Sequence, residues 1–233
     1  EPLYLANRGA NHSSQEGAAA RFDQAIALVR RAGFRSVLLR GDTDFSQTQH
    51  LDRWDAQEVK FVFGYDACAN LVEKADSLPE TAWKRLERQP RHEVKTEPRT
   101  PRTNVKSAIV EAKEYLNFHL VKEDVAEFDY RPTACNTDYR MIALRKTITV
   151  ERGQKLLYPE VRYFFYITNR RDMTTAEVVA SANDRCDQEN LHAQLKGGVR
   201  ALRAPVDTLV SNWAYMVMTA LAWSMKAWFA LLL

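Results

Sequence analysis

SANDRCDQENLHAQLKGG, residues Ser181 to Gly198, sits inside a window from Thr174 to Lys196 that holds no Pro or Gly. Such a window predicts one continuous helix. Each helical residue turns by about 100°, so Arg185, Glu189 and Lys196 fall on one stripe with Val178, Ala182 and Ala193. Small and apolar residues on that stripe suit packing, whereas an Arg, a Glu and a Lys there are costly unless paired or bound to a ligand. A local conflict between packing and charge marks a candidate site. Charged residues four apart also describe a solvated helix face with a weak ion pair. A second carboxylate far upstream separates the two readings.

That carboxylate follows SVLLR, residues Ser36 to Arg40, a short apolar run of the kind that forms a buried strand. The run leads into GDTDF, and Asp42 therefore stands at the C-terminal end of a strand, where α/β proteins bind ligands. GD sequences also form ordinary turns and helix caps. Asp44, two residues on, offers an Asp-x-Asp of the kind that holds a metal-bound nucleotide sugar in glycosyltransferases.

The rest of the chain supports an α/β frame. Pro2 to Arg8 reads as a strand, Asn7 to Ser14 as a loop, and Ser14 as the N-cap of a helix reaching Arg31, with Gly33 at its end. Gln47 to Ala56 reads as helix and Lys60 to Tyr65 (KFVFGY) as a further strand, so strands and helices alternate. The character changes after Trp83. Arg88 to Lys106 holds six Arg or Lys against two Glu and three Pro, a basic stretch without helical period. Between Tyr115 and Val150, VAEFDY and YRMIALRKTITV alternate like strands. VRYFFYIT, Val161 to Thr168, returns to the α/β style. The division is 1–86 and 161–233 as two parts of one core, with 87–160 as a β-rich insertion. Val206 to Leu233 is a long apolar helix with Asp207 as its N-cap. A membrane span is the rival reading there, opposed by Asn212 and Lys226.

Composition is that of an ordinary globular chain, with 45% hydrophobic and 27% charged residues. Net charge is +3, so any basic surface is local. The three Cys show neither metal-ligand nor disulfide spacing, which suits a reducing cytoplasm. The start at Glu1 and the stop on three Leu read as a piece of a longer protein.

Two motifs in this order, around an insertion, resemble the DDE transposases of bacterial insertion sequences, in the branch with a β-strand insertion domain. Arg40, Gly41, Asp42 and Phe45 match the family's Arg-(Gly or Ala)-Asp-x-x-Phe. Arg185, Glu189 and Lys196 match its Tyr-x2-Arg-x3-Glu-x6-Lys, with Ala182 in place of the Tyr. The resemblance implies an RNase H-like mixed sheet flanked by helices, with its first strands and first catalytic Asp upstream of Glu1, so that this piece alone is expected to be inactive. It implies DNA strand cleavage and strand transfer at a two-metal site of Mg2+ or Mn2+, with Asp42 and Glu189 as catalytic metal ligands. Arg185 and Lys196 would hold DNA phosphates, and Arg99 and Arg102 of the basic stretch would add DNA contacts. Partners would be double-stranded DNA and a second copy in the DNA complex, in the bacterial cytoplasm at the nucleoid, with no membrane. The alternatives are a DNA-binding transposase remnant without chemistry and a metal-dependent glycosyltransferase using Asp42 and Asp44.

Overall fold

The structure, a computed structural model, describes residues 2–9, 11–13, 15–88, 108–109, 112–113, 116–152, 155–184 and 186–232. Side chains of 155–158 and 186–188 stand outside that description. So do Arg99, Arg102 and Arg185, and the expected N-cap Ser14.

The first elements are helix α1 (Ala18–Arg31), strand β1 (Leu38–Gly41), helix α2 (Leu51–Ala56), strand β2 (Lys60–Tyr65) and helix α3 (Ala69–Asp76). Strands β3 (Lys84–Arg85), β4 (Leu116–Tyr130), β5 (Tyr139–Arg152) and β6 (Lys155–Thr168) follow. Helices α4 (Thr175–Asn183), α5 (Cys186–Gly197) and α6 (Leu209–Ala230) close the chain. The described strands make one six-stranded sheet in the order β1-β2-β6-β5-β4-β3. β1 and β2 are parallel, while β2–β6, β6–β5, β5–β4 and β4–β3 are antiparallel. This is a mixed sheet flanked by helices, as the family resemblance implies.

Alternation along the strands gives each face its own core. Phe61, Phe63, Met141, Ala143, Phe165 and Ile167 meet α1, α2 and α3 through Ile26, Trp54, Leu51 and Leu71. Val62, Ile142, Leu144 and Val125 point to the other face and meet Val178 and Val179 of α4. Phe61, Val62 and Phe63 are all fully buried, so β2 is apolar on both sides. A third, smaller cluster of Leu195, Ala201 and Ala220 joins α5 to α6.

Three expectations are corrected. Pro2–Arg8 is not a strand: its groups bond to α6, through Trp213 Nε1 to the Leu5 carbonyl at 2.7 Å and Asn7 Nδ2 to the Leu209 carbonyl at 3.0 Å. The α6 cap is Thr208, whose side chain accepts from the Ser211 N–H, rather than Asp207. The helix expected from Thr174 to Lys196 is two helices, broken after Asn183. Its start is firmly set by a reciprocal cap between Thr174 and Glu177. Among the described residues no helix is long and apolar enough to cross a membrane.

Asp23 on α1 ties the first two helices together. Arg53 approaches it with two nitrogens at 2.9 Å, and Trp54 Nε1 donates to it at 2.9 Å. Burial pushes the Asp23 carboxyl up, but the Arg53 and Trp54 bonds outweigh it and hold the group below its ordinary value of 3.8. A carboxyl lowered by folding stabilises the protein above its unfolded value and loses that contribution as pH falls through the folded one. Asp23→Asn should therefore melt below wild type at neutral pH, and the two melting temperatures should converge as the pH falls below the ordinary carboxyl value of 3.8 and through the lower folded one. A gap that stays constant with pH would exclude this account.

Candidate functional site

Asp42 leaves the end of β1 in extended conformation, with φ −82° and ψ −169°. The chain then turns at once, with Phe45 N–H donating to the Asp42 carbonyl at 3.1 Å. This places Asp42 in a cleft of roughly 350 Å3 at the C-terminal ends of the two parallel strands. The cleft is walled by Gly41 and Thr43, by Gly64, Tyr65 and Ala67, by Tyr163 to Tyr166 of β6, and by Ala182 and Asn183 at the end of α4.

The local sequence around Asp42 has a physical logic residue by residue. Arg40 donates to the Ser181 carbonyl at 3.1 Å and stands 3.5 Å from Asp184. In an unbroken helix that carbonyl would serve the residue four positions on; here the guanidinium engages it where α4 ends. A Cβ at Gly41 would meet Phe45 Cβ at 2.7 Å and the Phe63 ring at 3.1 Å. Phe45 in turn packs edge-on against Phe22 of α1, with ring centres 6.3 Å apart. Arg40, Gly41 and Phe45 thus fix where Asp42 emerges.

The break after Asn183 divides the stripe of the opening stretch. Val178 is buried under the sheet and Ala182 lines the Asp42 cleft. Glu189, Ala193 and Lys196 lie on α5 and are exposed. They face away from Leu191 and Leu195, which pack toward Ala220 and Trp223 of α6. Trp223 Nε1 also donates to Gln194 Oε1 at 3.0 Å. The stripe is therefore divided, with Val178 and Ala182 on α4 and Glu189, Ala193 and Lys196 on α5, and these two charges do not share the sheet-facing side of Val178. Asp44 is exposed on the turn after Asp42.

Neither Tyr65 nor Tyr163 in the cleft ionises near neutral pH. Burial, followed by the Tyr130 hydroxyl, pushes Tyr65 far up. Burial, followed by the bond to Asp76 at 2.5 Å, pushes Tyr163 up to about 12. Among the described residues that line the cleft, Asp42 is the one with a carboxyl group. Among the described residues no three His, Cys, Asp or Glu stand together as a group that could hold a metal ion. Hard carboxylate oxygens in an open site suit Mg2+ or Mn2+, which keep several waters and take further oxygens from phosphate. Sequence reasoning missed Gly64 and the β6 wall; a Gly between large residues of KFVFGY was the available signal for the first.

The family model described as Transposase DDE domain group 1 matches residues 1–233. No curated protein and no solved structure matches the chain.

Arg40→Met removes a hydrogen bond and a half-exposed ion pair, which together are worth roughly 1–1.5 kcal/mol. The melting temperature should fall by about 2–6 °C. Hydrogen exchange should quicken in the last turn of α4 while β2 keeps its protection. Equal acceleration throughout would show that Arg40 does not act at the helix end.

Proposed function

The chain belongs to the Transposase DDE domain group 1 family, and from that premise we propose that it is the strand-cutting and strand-joining part of an insertion-sequence transposase, with Asp42 and Glu189 as its catalytic carboxylates. Membership makes it a transposase domain, of an enzyme family that acts on DNA in transposition and generally uses divalent metal. The observation that carries the finer reading is the cleft. Asp42 stands at the end of β1 beside Ala182 and Asn183, the last turn of the helix that precedes the one bearing Glu189.

Asp42 and Glu189 would hold the metal. Two divalent ions, when bound, activate the attacking hydroxyl and stabilise the leaving oxygen of a phosphodiester. The chain's own residues supply position and charge. Asp42 offers oxygens from a rigid strand end, which suits a ligand that must not move. Glu189 offers its carboxylate from an exposed helix face open to DNA. Lys196, on the same stripe as Glu189, supplies a cation for backbone phosphate, and Arg185 carries the same role by its place in the motif.

An RNase H-like topology, with 1–86 and 161–233 as core and 87–160 as insertion, is the arrangement this reading favours. Its support is the parallel β1–β2 pair, with Asp42 directly after the end of β1. Double-stranded DNA is the substrate, Arg99 and Arg102 add phosphate contacts, a second copy joins in the DNA complex, and the setting is the bacterial cytoplasm at the nucleoid. A DNA-binding remnant without chemistry is the competing outcome.

The test is cleavage of transposon-end DNA by the complete transposase. Asp42→Asn and Glu189→Gln should each lower Mg2+-dependent cleavage by about 10³-fold or more and leave DNA affinity within about threefold. Cleavage that survives either change removes that residue from the centre. No cleavage in the unaltered complete protein favours the remnant. Affinity should also fall with salt at a slope of about −0.9 per contacted phosphate. Arg99→Glu with Arg102→Glu should flatten that slope, and an unchanged slope would make the basic stretch a linker.

A further inference from the structure

Gly64 stands in the interior of β2, between Phe63 and Tyr65. Glycine weakens a strand and commonly marks a place where another backbone approaches closely. It is not required here by a left-handed conformation, since among the described glycines the positive φ values fall at Gly17 and Gly33. Space is the reason. A Cβ at Gly64 would meet Thr43 N at 3.0 Å, Asp42 C at 3.1 Å and Asp42 Cα at 3.4 Å. All three contacts are main-chain atoms, which cannot rotate aside as a side chain can. At Gly41 the nearest atoms are side-chain carbons of Phe45 and Phe63.

β2 cannot retreat from the contact. It is bonded to β1 on one side and to β6 on the other, where Gly64 pairs with Tyr166. Phe63 and Val62 beside it are fully buried in opposite cores. The Asp42–Thr43 peptide lies on Gly64 as on a floor, and any added carbon lifts that peptide by a few tenths of an ångström. Gly64 and Asp42 line the same cleft.

We infer that Gly64 is a positioning residue for Asp42: the bare Cα sets the depth at which the carboxylate stands, and so its readiness to hold a divalent cation. The inference rests on the reading of Asp42 as a metal ligand. It adds a residue that touches neither metal nor DNA and that no motif of the chain contains.

The test uses the complete transposase and Mn2+ as probe, with binding followed by calorimetry or by the paramagnetic signal of the free ion, in the absence of DNA. Gly64→Ala should weaken Mn2+ binding by about tenfold, since functional groups tolerate misplacement of only about 0.5 Å. Mg2+-supported cleavage should fall by about 10–100-fold, and Mn2+ in place of Mg2+ should recover part of it. DNA affinity in EDTA should stay at the wild-type value. Leu71→Val, a core change on α3 away from the cleft, should lower the melting temperature and leave Mn2+ affinity alone. Wild-type Mn2+ affinity in Gly64→Ala would overturn the inference, whatever its melting temperature. If that variant does not fold, Asp42→Glu carries the test, because it moves the carboxylate by one methylene with Gly64 intact. Weakened Mn2+ binding is then expected, and unchanged binding overturns the positioning account. Undiminished cleavage in Asp42→Asn would instead overturn the reading of Asp42 as a ligand.

Discussion

The guanidinium of Arg40 joins β1, just before Asp42, to the end of α4. It reaches from β1 to the Ser181 carbonyl, 141 positions away in sequence, and to the Asp184 carboxylate. Its own worth in free energy is modest, because the pair is partly open to solvent. Its consequence is geometric. It engages a carbonyl at the end of α4 and so ties that helix end to β1 beside Asp42.

The sheet makes that contact dependable. β2 carries fully buried side chains into two cores at once, so a shift of the strand would disturb both. β1 and β6 flank it and share its register. Charges at the far end are equally tied down. Glu123 is buried and takes two bonds from Arg88, at 2.5 and 2.8 Å, with Lys146 at 3.3 Å. The Arg88 bonds come first in holding the Glu123 carboxyl below its usual value, ahead of the opposing effect of burial. A buried carboxylate paired on two sides avoids the large cost of an isolated buried charge. Arg88, the first residue of the basic stretch, is therefore committed to the sheet.

The sequence alone was enough for the helix-and-strand alternation, because periodicity is a property of neighbours. KFVFGY is β2 from first residue to last, and the helix ending at Arg31 before Gly33 is α1. It was also enough for Asp42 at a strand end and for the family, since the motif residues are contiguous or at helical spacing. A pattern of neighbours did not by itself show that the run from Thr174 to Lys196 breaks, because no Pro or Gly interrupts it, although Asn183 and Asp184 at the break are poor helix formers. The break occurs where Arg40 engages the Ser181 carbonyl, and no sequence window contains both. Nor could it show that Pro2–Arg8, strand-like in composition, bonds to α6 instead of a sheet. Tertiary structure alone decided the role of Gly64, whose missing side chain matters only because the main chain of Asp42 and Thr43 folds back onto it. Local pattern fixes which elements form, whereas the placing of a carboxylate depends on contacts between segments far apart in the chain.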